Sequence, residues 1–318
     1  MFKPELALIT PSFNNGELLK RLYLSIKSQT YINLCWIIIN DGSTDNTDKI
    51  VKTFSDILII YKKQNNQGPN NCRNKAERLI PSSCKYVIPI DSDDKFYNSN
   101  TLASMVNDIK KTHKKIGMIG YASIDGSTGK KVSFLKAPEI TINYLDNLKG
   151  EMYSGEFLII QKKHVIKHSK WPNNIWGYEA IRHWEINKHY DFIYKESPGR
   201  IYFRDRKENL TSPESTIARA QKMIDGIDYL ILKHGNMLRK YAMERYVYFL
   251  FTKALYLLLT NQKTKTIKHM VSFMRMKKNI KMTMLGLTIL FSLPMPISLI
   301  TKIYLSIKRI NYNYIENK

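Results

Sequence analysis

Apolar segments and amphipathic helical segments alternate along the first ninety residues of the chain. Short apolar runs bounded by turn residues predict strands, and apolar residues at helical spacing between the runs predict helices. Strands that alternate with helices through short loops are typical of an α/β fold with a mostly parallel central sheet and helices on both faces. The predicted strands cover residues 5–10, 34–40, 57–62 and 85–90, and the predicted helices cover 16–29, 45–54 and 70–79.

Three carboxylates follow the fourth predicted strand within four residues, in the tetrad Asp91-Ser92-Asp93-Asp94. Like charges this close repel one another, and they are costly to bury unless a positive group lies among them. A divalent cation supplies that charge, and an oxygen-only site favours Mg²⁺ or Mn²⁺, which keep positions open for phosphate oxygens. The alternative interpretation is a solvated acidic turn or a helix N-cap, where Asp is also favoured.

Polar loops follow the other three predicted strands as well. Each loop alone is a weak signal, because Gly, Asn and Asp are ordinary turn residues. The carboxyl ends of parallel strands lie at one edge of a sheet, where such folds bind ligands, so we expect the four loops to converge there. These three loops contain residues 10–14, 41–45 and 65–68, the last followed by Arg73 and Asn74.

The ordered set of four loops resembles glycosyltransferase family 2, the inverting enzymes with the GT-A fold, over residues 5–210. The resemblance implies a nucleotide-sugar donor, and we expect it to be UDP-linked. In that family the residues that match Pro11, Asp41 and Arg73 hold the nucleobase and its ribose. A carboxylate and a guanidinium suit the polar edge of uracil. Ser12, in the loop after the first strand, belongs to the same predicted nucleotide site.

The family's acidic motif corresponds to the tetrad. The resemblance implies that Asp91 and Asp93 contact the donor and that Asp93 or Asp94 holds Mn²⁺ or Mg²⁺, and the sequence leaves open which carboxylate ligates directly. A metal there helps the nucleoside diphosphate to leave, because it acts as a Lewis acid. Farther on, the segment with Arg204 and Arg206 resembles the family's basic loop over the donor phosphates, where Arg binds in bidentate fashion. The alternative is an ordinary basic loop on a basic protein.

The catalytic base is expected in the segment Trp176-Gly177-Tyr178-Glu179-Ala180, which resembles the family's acidic motif after a Gly-aromatic pair. Glu179 is the candidate base, and Trp176 is the candidate platform for the acceptor sugar. Many family members have Glu-Asp at this point, whereas this chain has Glu-Ala. A single carboxylate is therefore available, and Glu185 is the reserve. The alternative for Glu179 is an exposed helix residue.

The whole chain carries a formal net charge of +23, and positive charge is concentrated in its last third. Residues 226–318 contain 16 Lys and Arg residues, interleaved with apolar ones, against Asp228, Glu244 and Glu316. This pattern favours an anionic membrane surface as a partner. We expect no nucleic-acid partner, because no helix-turn-helix, zinc-finger or RNP-type signature is present. Residues 1–214 are predicted to form the GT-A catalytic domain, and 215–318 a basic amphipathic helical region that associates with a membrane.

Residues 282–300 are the nearest approach to a membrane span. Pro294 and Pro296 interrupt this segment, and Lys281 and Lys302 bound it at about the minimum spanning length. We favour helices that lie in the membrane interface over a span, with a helical hairpin packed on the catalytic domain as the alternative. The basic residues expected to face lipid headgroups are Lys253, Lys268, Arg275, Lys277 and Lys278.

Three cysteines without a CxxC pair favour a reducing compartment, and the N-terminal residues predict no signal peptide. We therefore expect a cytoplasmic protein, peripheral on the inner face of the plasma membrane. The sequence predicts an inverting glycosyltransferase that moves a sugar from UDP to a lipid-linked or polysaccharide acceptor in bacterial cell-surface glycan synthesis. The alternatives are a nucleotidyltransferase, whose usual Gly-rich phosphate loop is not seen in residues 11–15, and a non-catalytic membrane-bound assembly protein with a degenerate GT-A fold.

Overall fold

The computed structural model describes residues 2–173, 175, 178, 180–203, 217–276 and 280–304. Contacts divide the chain into two compact units, which are considered separately below. The first unit comprises residues 1–174 and 180–204, and the second comprises 175–179 and 205–318. The predicted domain boundary between residues 214 and 215 lies outside the described residues and stays a prediction.

The first four strands of the first unit are parallel and pair in the order β3-β2-β1-β4. They occupy the segments in which the apolar runs predict strands. The strands are β1 (Leu6–Ser12), β2 (Leu34–Asn40), β3 (Leu58–Lys63) and β4 (Tyr86–Pro89). The helices that connect or follow them are α1 (Gly16–Lys27), α2 (Thr47–Val51), α3 (Pro69–Arg78) and α4 (Thr101–Lys111).

Both faces of this half of the sheet are buried, because side chains alternate between the faces along each strand. Leu8 and Ile38 belong to one core cluster, in which Leu19 of α1 and Met105 of α4 are also buried. The next residues along the strands, such as Ile9 and Ile37, belong to a second cluster together with Cys72 and Ala76 of α3. The continuous apolar runs of β1 and β2 follow from this two-sided burial.

The second half of the sheet is mixed in direction. Strand β10 (Phe157–Lys162) runs antiparallel to both β4 and β6 (Ile116–Asp125), and β11 (Asp191–Tyr202) returns parallel to β6. The short strands β5 (Lys95–Phe96) and β8 (Glu139–Ile142) pair antiparallel with β11. The remaining elements are a pair formed by β7 (Ser133–Leu135) and β9 (Tyr153–Gly155), with α5 (Tyr144–Lys149), a 3₁₀ turn (Lys163–His168) and α6 (Ala180–Asn187).

The described part of the second unit is helical, as its apolar periodicity predicts. Its helices include α7 (Ala220–Tyr241), α8 (Met243–Leu259), α9 (Lys263–Met274) and α10 (Ile280–Ser292), and residues 297–304 are also helical. The segment 282–300 is interrupted where α10 ends, just before Pro294. In the described part of the chain, no helix has both the length and the apolar character that crossing a membrane requires.

Candidate active site

The loops that follow the first four strands are joined by hydrogen bonds at the carboxyl edge of the sheet. The backbone N–H of Asp41 donates to the carbonyl of Ser12 at 2.8 Å, and Asn14 Oδ1 accepts from the N–H of Thr44 at 2.8 Å. Asn15 Nδ2 donates to Ser92 Oγ at 3.0 Å, which ties the loop after β1 to the acidic tetrad. The polar loops that the sequence predicts to converge therefore meet at the carboxyl edge of the sheet.

Asp41 is the anchor of the loop that leads into α3. Its side chain is buried, and its carboxylate accepts from the backbone N–H of Gln67 at 2.9 Å, from that of Gly68 at 2.7 Å and from Gln64 Nε2 at 2.8 Å. Gly68 has φ of +87°, a left-handed conformation that glycine adopts without strain, and α3 begins at the next residue. Asp41 thus fixes the start of the helix that carries Arg73.

Arg73 links α3 to the tetrad. Its Nη2 lies 2.7 Å from Asp91 Oδ1, and its Nη1 donates to Asn70 Oδ1 at 3.0 Å. The Arg73 guanidinium also lies 4.9 Å from the centre of the Trp171 ring. The Asp91 side chain keeps 44% of its surface exposed, so this charged pair lies at the edge of the protein rather than in its core.

The remaining residues of the tetrad have different environments. Asp93 is half-buried, and its backbone carbonyl accepts from the guanidinium of Arg21, which stacks 3.6 Å from the centre of the Phe203 ring. Asp94 is fully buried, and its Oδ2 lies 2.5 Å from Arg200 Nη1. Burial raises the pKa of the Asp94 carboxyl to about 8, although the charge of Arg200 acts in the opposite direction.

Two buried arginines near the site were not found by sequence reasoning. Arg200 pairs with Asp94. Arg182 Nη2 lies 2.7 Å from Glu77 Oε1, and the same oxygen accepts a hydrogen bond from the indole N–H of Trp171 at 2.9 Å. Arg182 also lies 4.4 Å from the centre of the Trp171 ring, so both Arg73 and Arg182 contact this ring. The signal in the sequence was an Arg among apolar strand or helix residues, which indicates a buried partner without identifying it.

The other predicted site residues are placed as follows. Pro11 is half-buried near the end of β1, and the hydroxyl of Ser12 is buried without a hydrogen-bond partner among the described residues. Glu185, the reserve base, lies on α6 with its Oε1 2.6 Å from Lys188 Nζ. The predicted residues that lie outside the described residues are Trp176, Glu179, Arg204 and Arg206.

The carboxylates at this edge fit a divalent cation that is shared with a ligand. Among the residues that the structure describes, no group of three or more His, Cys, Asp or Glu side chains is arranged to hold a metal. Mg²⁺ at nucleotide sites is commonly held by one or two carboxylates, while phosphate oxygens and water complete its shell. Asp93 and the exposed part of Asp91 would supply oxygen donors to such a cation.

Comparison with known proteins identifies the family to which the chain belongs. The profile described as Glycosyl transferase family 2 matches residues 7–169, which is just over half of the chain. The chain belongs to glycosyltransferase family 2. This family-2 chain is therefore a glycosyltransferase, as the sequence predicts.

Relatives of this family-2 glycosyltransferase are found among bacterial enzymes. It is 28% identical over 215 residues to the GalNAc(5)-diNAcBac-PP-undecaprenol beta-1,3-glucosyltransferase of Campylobacter jejuni. The matched region covers 65% of this chain and 67% of the relative. It is 29% identical over 172 residues to the poly(ribitol-phosphate) beta-N-acetylglucosaminyltransferase TarP of Staphylococcus aureus, which covers 52% of this chain and 51% of TarP.

Solved structures confirm the predicted GT-A fold. S. aureus TarS, residues 1–349, in complex with UDP-GlcNAc matches 91% of this chain and 80% of its own with a TM-score of 0.54 at 16% identity. The mannosyltransferase PcManGT of Pyrobaculum calidifontis, in complex with GDP-Man and Mn²⁺, matches 98% of this chain and 88% of its own with a TM-score of 0.56 at 15% identity. At these identities the likeness concerns the fold alone.

Proposed function

We propose that this family-2 glycosyltransferase is a metal-dependent inverting enzyme that uses a UDP-linked sugar. The observation that carries the proposal is the meeting of Asp41, Arg73 and the acidic tetrad at the carboxyl edge of four parallel strands. The structural neighbours add support, because one was crystallised with UDP-GlcNAc and another with GDP-Man and Mn²⁺.

In this proposal, different residues at the carboxyl edge of the sheet contact different parts of the donor. Pro11, Ser12, Asp41 and Arg73 hold the nucleoside, and Asp91 contacts the donor. Asp93 is the carboxylate that holds Mn²⁺ or Mg²⁺, which when bound supplies Lewis-acid stabilisation of the departing diphosphate. Two further residues, Arg204 and Arg206, are proposed to bind the diphosphate.

The segment around residue 179 is proposed to bind and activate the acceptor. Inversion requires a base that removes the proton from the acceptor hydroxyl while its oxygen attacks the anomeric carbon from the side opposite the diphosphate. Glu179 is proposed for this role, with Trp176 as the flat surface for the acceptor sugar. The reserve candidate Glu185 already pairs with Lys188 on α6.

We propose a lipid-linked glycan of bacterial cell-surface synthesis as the acceptor. The C. jejuni relative is named for a substrate on undecaprenol diphosphate, and TarP is named for poly(ribitol-phosphate). The second unit of this chain offers a surface suited to such a substrate, because it combines a large excess of positive charge with exposed apolar side chains. On this basis the enzyme acts as a peripheral protein on the inner face of the plasma membrane.

UDP is expected to bind at least about tenfold more tightly with Mn²⁺ than with a chelator, because a cation held by Asp93 would offset the negative charge of the diphosphate. Calorimetric titration of the full chain with UDP, and with GDP as the matched nucleotide, measures both the metal effect and the base preference. Equal UDP affinity with Mn²⁺ and with chelator would remove the metal from the proposal. Tighter binding of GDP would remove the assignment of uracil but not that of the cation.

Helix α9 has the surface that best fits contact with an anionic membrane. Ile267 and Val271 lie one helical turn apart and are 48% and 47% exposed. Lys268 and Arg275 lie on the same exposed stripe, and residues 263–276 contain no acidic residue. Apolar side chains interleaved with cations are typical of helices that lie in the membrane interface.

The double variant Ile267→Asp/Val271→Asp is expected to weaken binding to vesicles that contain anionic lipid by about a hundredfold or more. Each change removes a partly exposed apolar side chain and adds a charge that the surface repels. Vesicle co-sedimentation of the full-length protein measures the effect. Ile32→Asp is the matched control, since Ile32 is 80% exposed but lies in the first unit, between α1 and β2. Unchanged sedimentation of the double variant would exclude α9 as the contact surface.

A further inference from the structure

The carboxylates of the acidic tetrad differ in their surroundings although they are close in sequence. The side chain of Asp91 is 44% exposed, Asp93 is half-buried, and Asp94 has no exposed surface. Asp94 directly precedes β5, and the pairing of β5 with β11 sets Phe96 opposite Arg200. The strand pairing therefore brings Arg200 beside the last carboxylate of the tetrad.

Arg200 is held in place by partners on three sides. Its Nε donates to Ser123 Oγ at 2.9 Å, its Nη2 lies 3.0 Å from Glu156 Oε2, and its Nη1 lies 2.5 Å from Asp94 Oδ2. A guanidinium is planar, so three contacts of this kind fix its orientation. Ser123 lies on β6 and Glu156 directly precedes β10, so Arg200 is held by two other segments of the first unit while it pairs with Asp94.

A second arginine attaches the tetrad to the same end of β11. Arg21 donates to the backbone carbonyl of Asp93 and stacks on Phe203, which directly follows β11. The Phe203 ring also packs against Gly126, where a Cβ atom would lie 2.5 Å from the ring. Both arginines thus connect the tetrad to one strand end, one through a side chain and the other through the backbone.

We propose that Asp94 is an internal anchor rather than a ligand of the cation, and that the Asp94–Arg200 pair positions Asp93 toward the donor diphosphate. The inference rests on the proposed function, because it concerns how the cation-holding carboxylate is oriented. The competing assignment is direct ligation by Asp94, whose Oδ1 is buried without a hydrogen-bond partner among the described residues. The two assignments predict different behaviour when both members of the pair are neutralised.

Three variants separate the anchor from the ligand: Arg200→Gln, Asp94→Asn and the double variant. Arg200→Gln removes the guanidinium that holds the buried Asp94 carboxyl in place, and we expect it to raise the Mn²⁺ concentration that half-saturates UDP binding by about tenfold to a hundredfold. The double variant replaces the ion pair by two amides, and we expect it to recover to within about threefold of the wild type. If the double variant loses Mn²⁺ affinity as fully as Asp93→Asn does, Asp94 is a ligand and the proposal is wrong.

A control variant on the same strand excludes a general effect of losing an ion pair from β11. Lys195 Nζ lies 3.0 Å from Asp108 Oδ2 and is remote in sequence from the tetrad. Lys195→Met is expected to leave the Mn²⁺ dependence within about twofold of the wild type, because its partners do not include the tetrad. A shift as large as that of Arg200→Gln would assign the effect to the strand and overturn the positioning role.

Amide hydrogen exchange of residues 91–96 tests the anchor without nucleotide or metal. Arg200→Gln is expected to accelerate exchange in this segment by about tenfold, and the double variant is expected to slow it again. Equal exchange in the wild type and Arg200→Gln would overturn the inference even if UDP binds with Mn²⁺. Failure of wild-type UDP binding to respond to Mn²⁺ would instead overturn the proposed metal, and the exchange comparison would still decide whether Asp94 anchors the tetrad.

Discussion

Asp93→Asn is expected to lower kcat by about a thousandfold, the largest effect of any single change to the acidic tetrad. Lewis-acid stabilisation of a departing diphosphate is worth several kcal/mol, and each 1.36 kcal/mol corresponds to about a tenfold change in rate. Asparagine keeps the size of the side chain while it removes the charge that is proposed to hold the cation. Initial rates of UDP release, measured at saturating Mn²⁺ with a donor that the wild type uses, give the comparison.

Asp56→Asn is the control for loss of a carboxylate from the first unit. Asp56 is exposed and pairs with Lys27 at 2.8 Å, so its replacement is expected to leave both rate and stability close to those of the wild type. Thermal unfolding of Asp93→Asn should also match the wild type to within a few degrees. Retention of more than about a tenth of the wild-type kcat in Asp93→Asn would show that this carboxylate does not hold a catalytic cation.

Strands β1 and β2 of the parallel half were predictable because they are buried on both faces. A strand covered on both sides is apolar at every position, so the runs in β1 and β2 are continuous and easy to locate. Residues 34–40 were predicted as a strand, and β2 covers that segment. The positions of the polar loops followed from the same pattern, because each loop begins where an apolar run ends.

The mixed half of the sheet was less predictable because its order depends on distant pairing. Strand β10 lies between β4 and β6 and reverses the direction of the sheet, although residues 157–162 carry no local sign of this. Strand β5 has only two residues and exists through its pairing with β11. Such elements are set by tertiary contacts rather than by local propensity.

The different environments of the three carboxylates in the tetrad could not be predicted from the sequence, because they too depend on distant pairing. The partners of the buried arginines are separated from them by 106 residues for Arg200 and Asp94, and by 105 for Arg182 and Glu77. A carboxylate beside a strand is exposed or buried according to which neighbour the strand pairs with. The sequence therefore identified Asp91, Asp93 and Asp94 as a cluster, whereas the pairing of β5 with β11 distinguishes Asp94.

Glu179→Gln is expected to lower kcat by about a thousandfold while UDP affinity stays unchanged. General-base catalysis contributes between about a hundredfold and ten-thousandfold, and the Glu-Ala sequence of this chain leaves no neighbouring carboxylate to take over. The nucleotide contacts proposed for Asp41, Arg73 and Asp93 do not involve Glu179, so loss of the base should separate kcat from donor binding. Transfer rates and UDP titrations on the same protein samples measure the two effects.

Glu185→Gln is the matched control, because it makes the same chemical change six residues farther along the chain. Glu185 pairs with Lys188 within one turn of α6, and a half-exposed pair of this kind contributes little, so this variant is expected to transfer sugar at about the wild-type rate. A loss confined to Glu185→Gln would move the base to α6. Loss in neither variant would mean that the acceptor proton leaves by another route, and the assignment of an inverting base to this segment would be wrong.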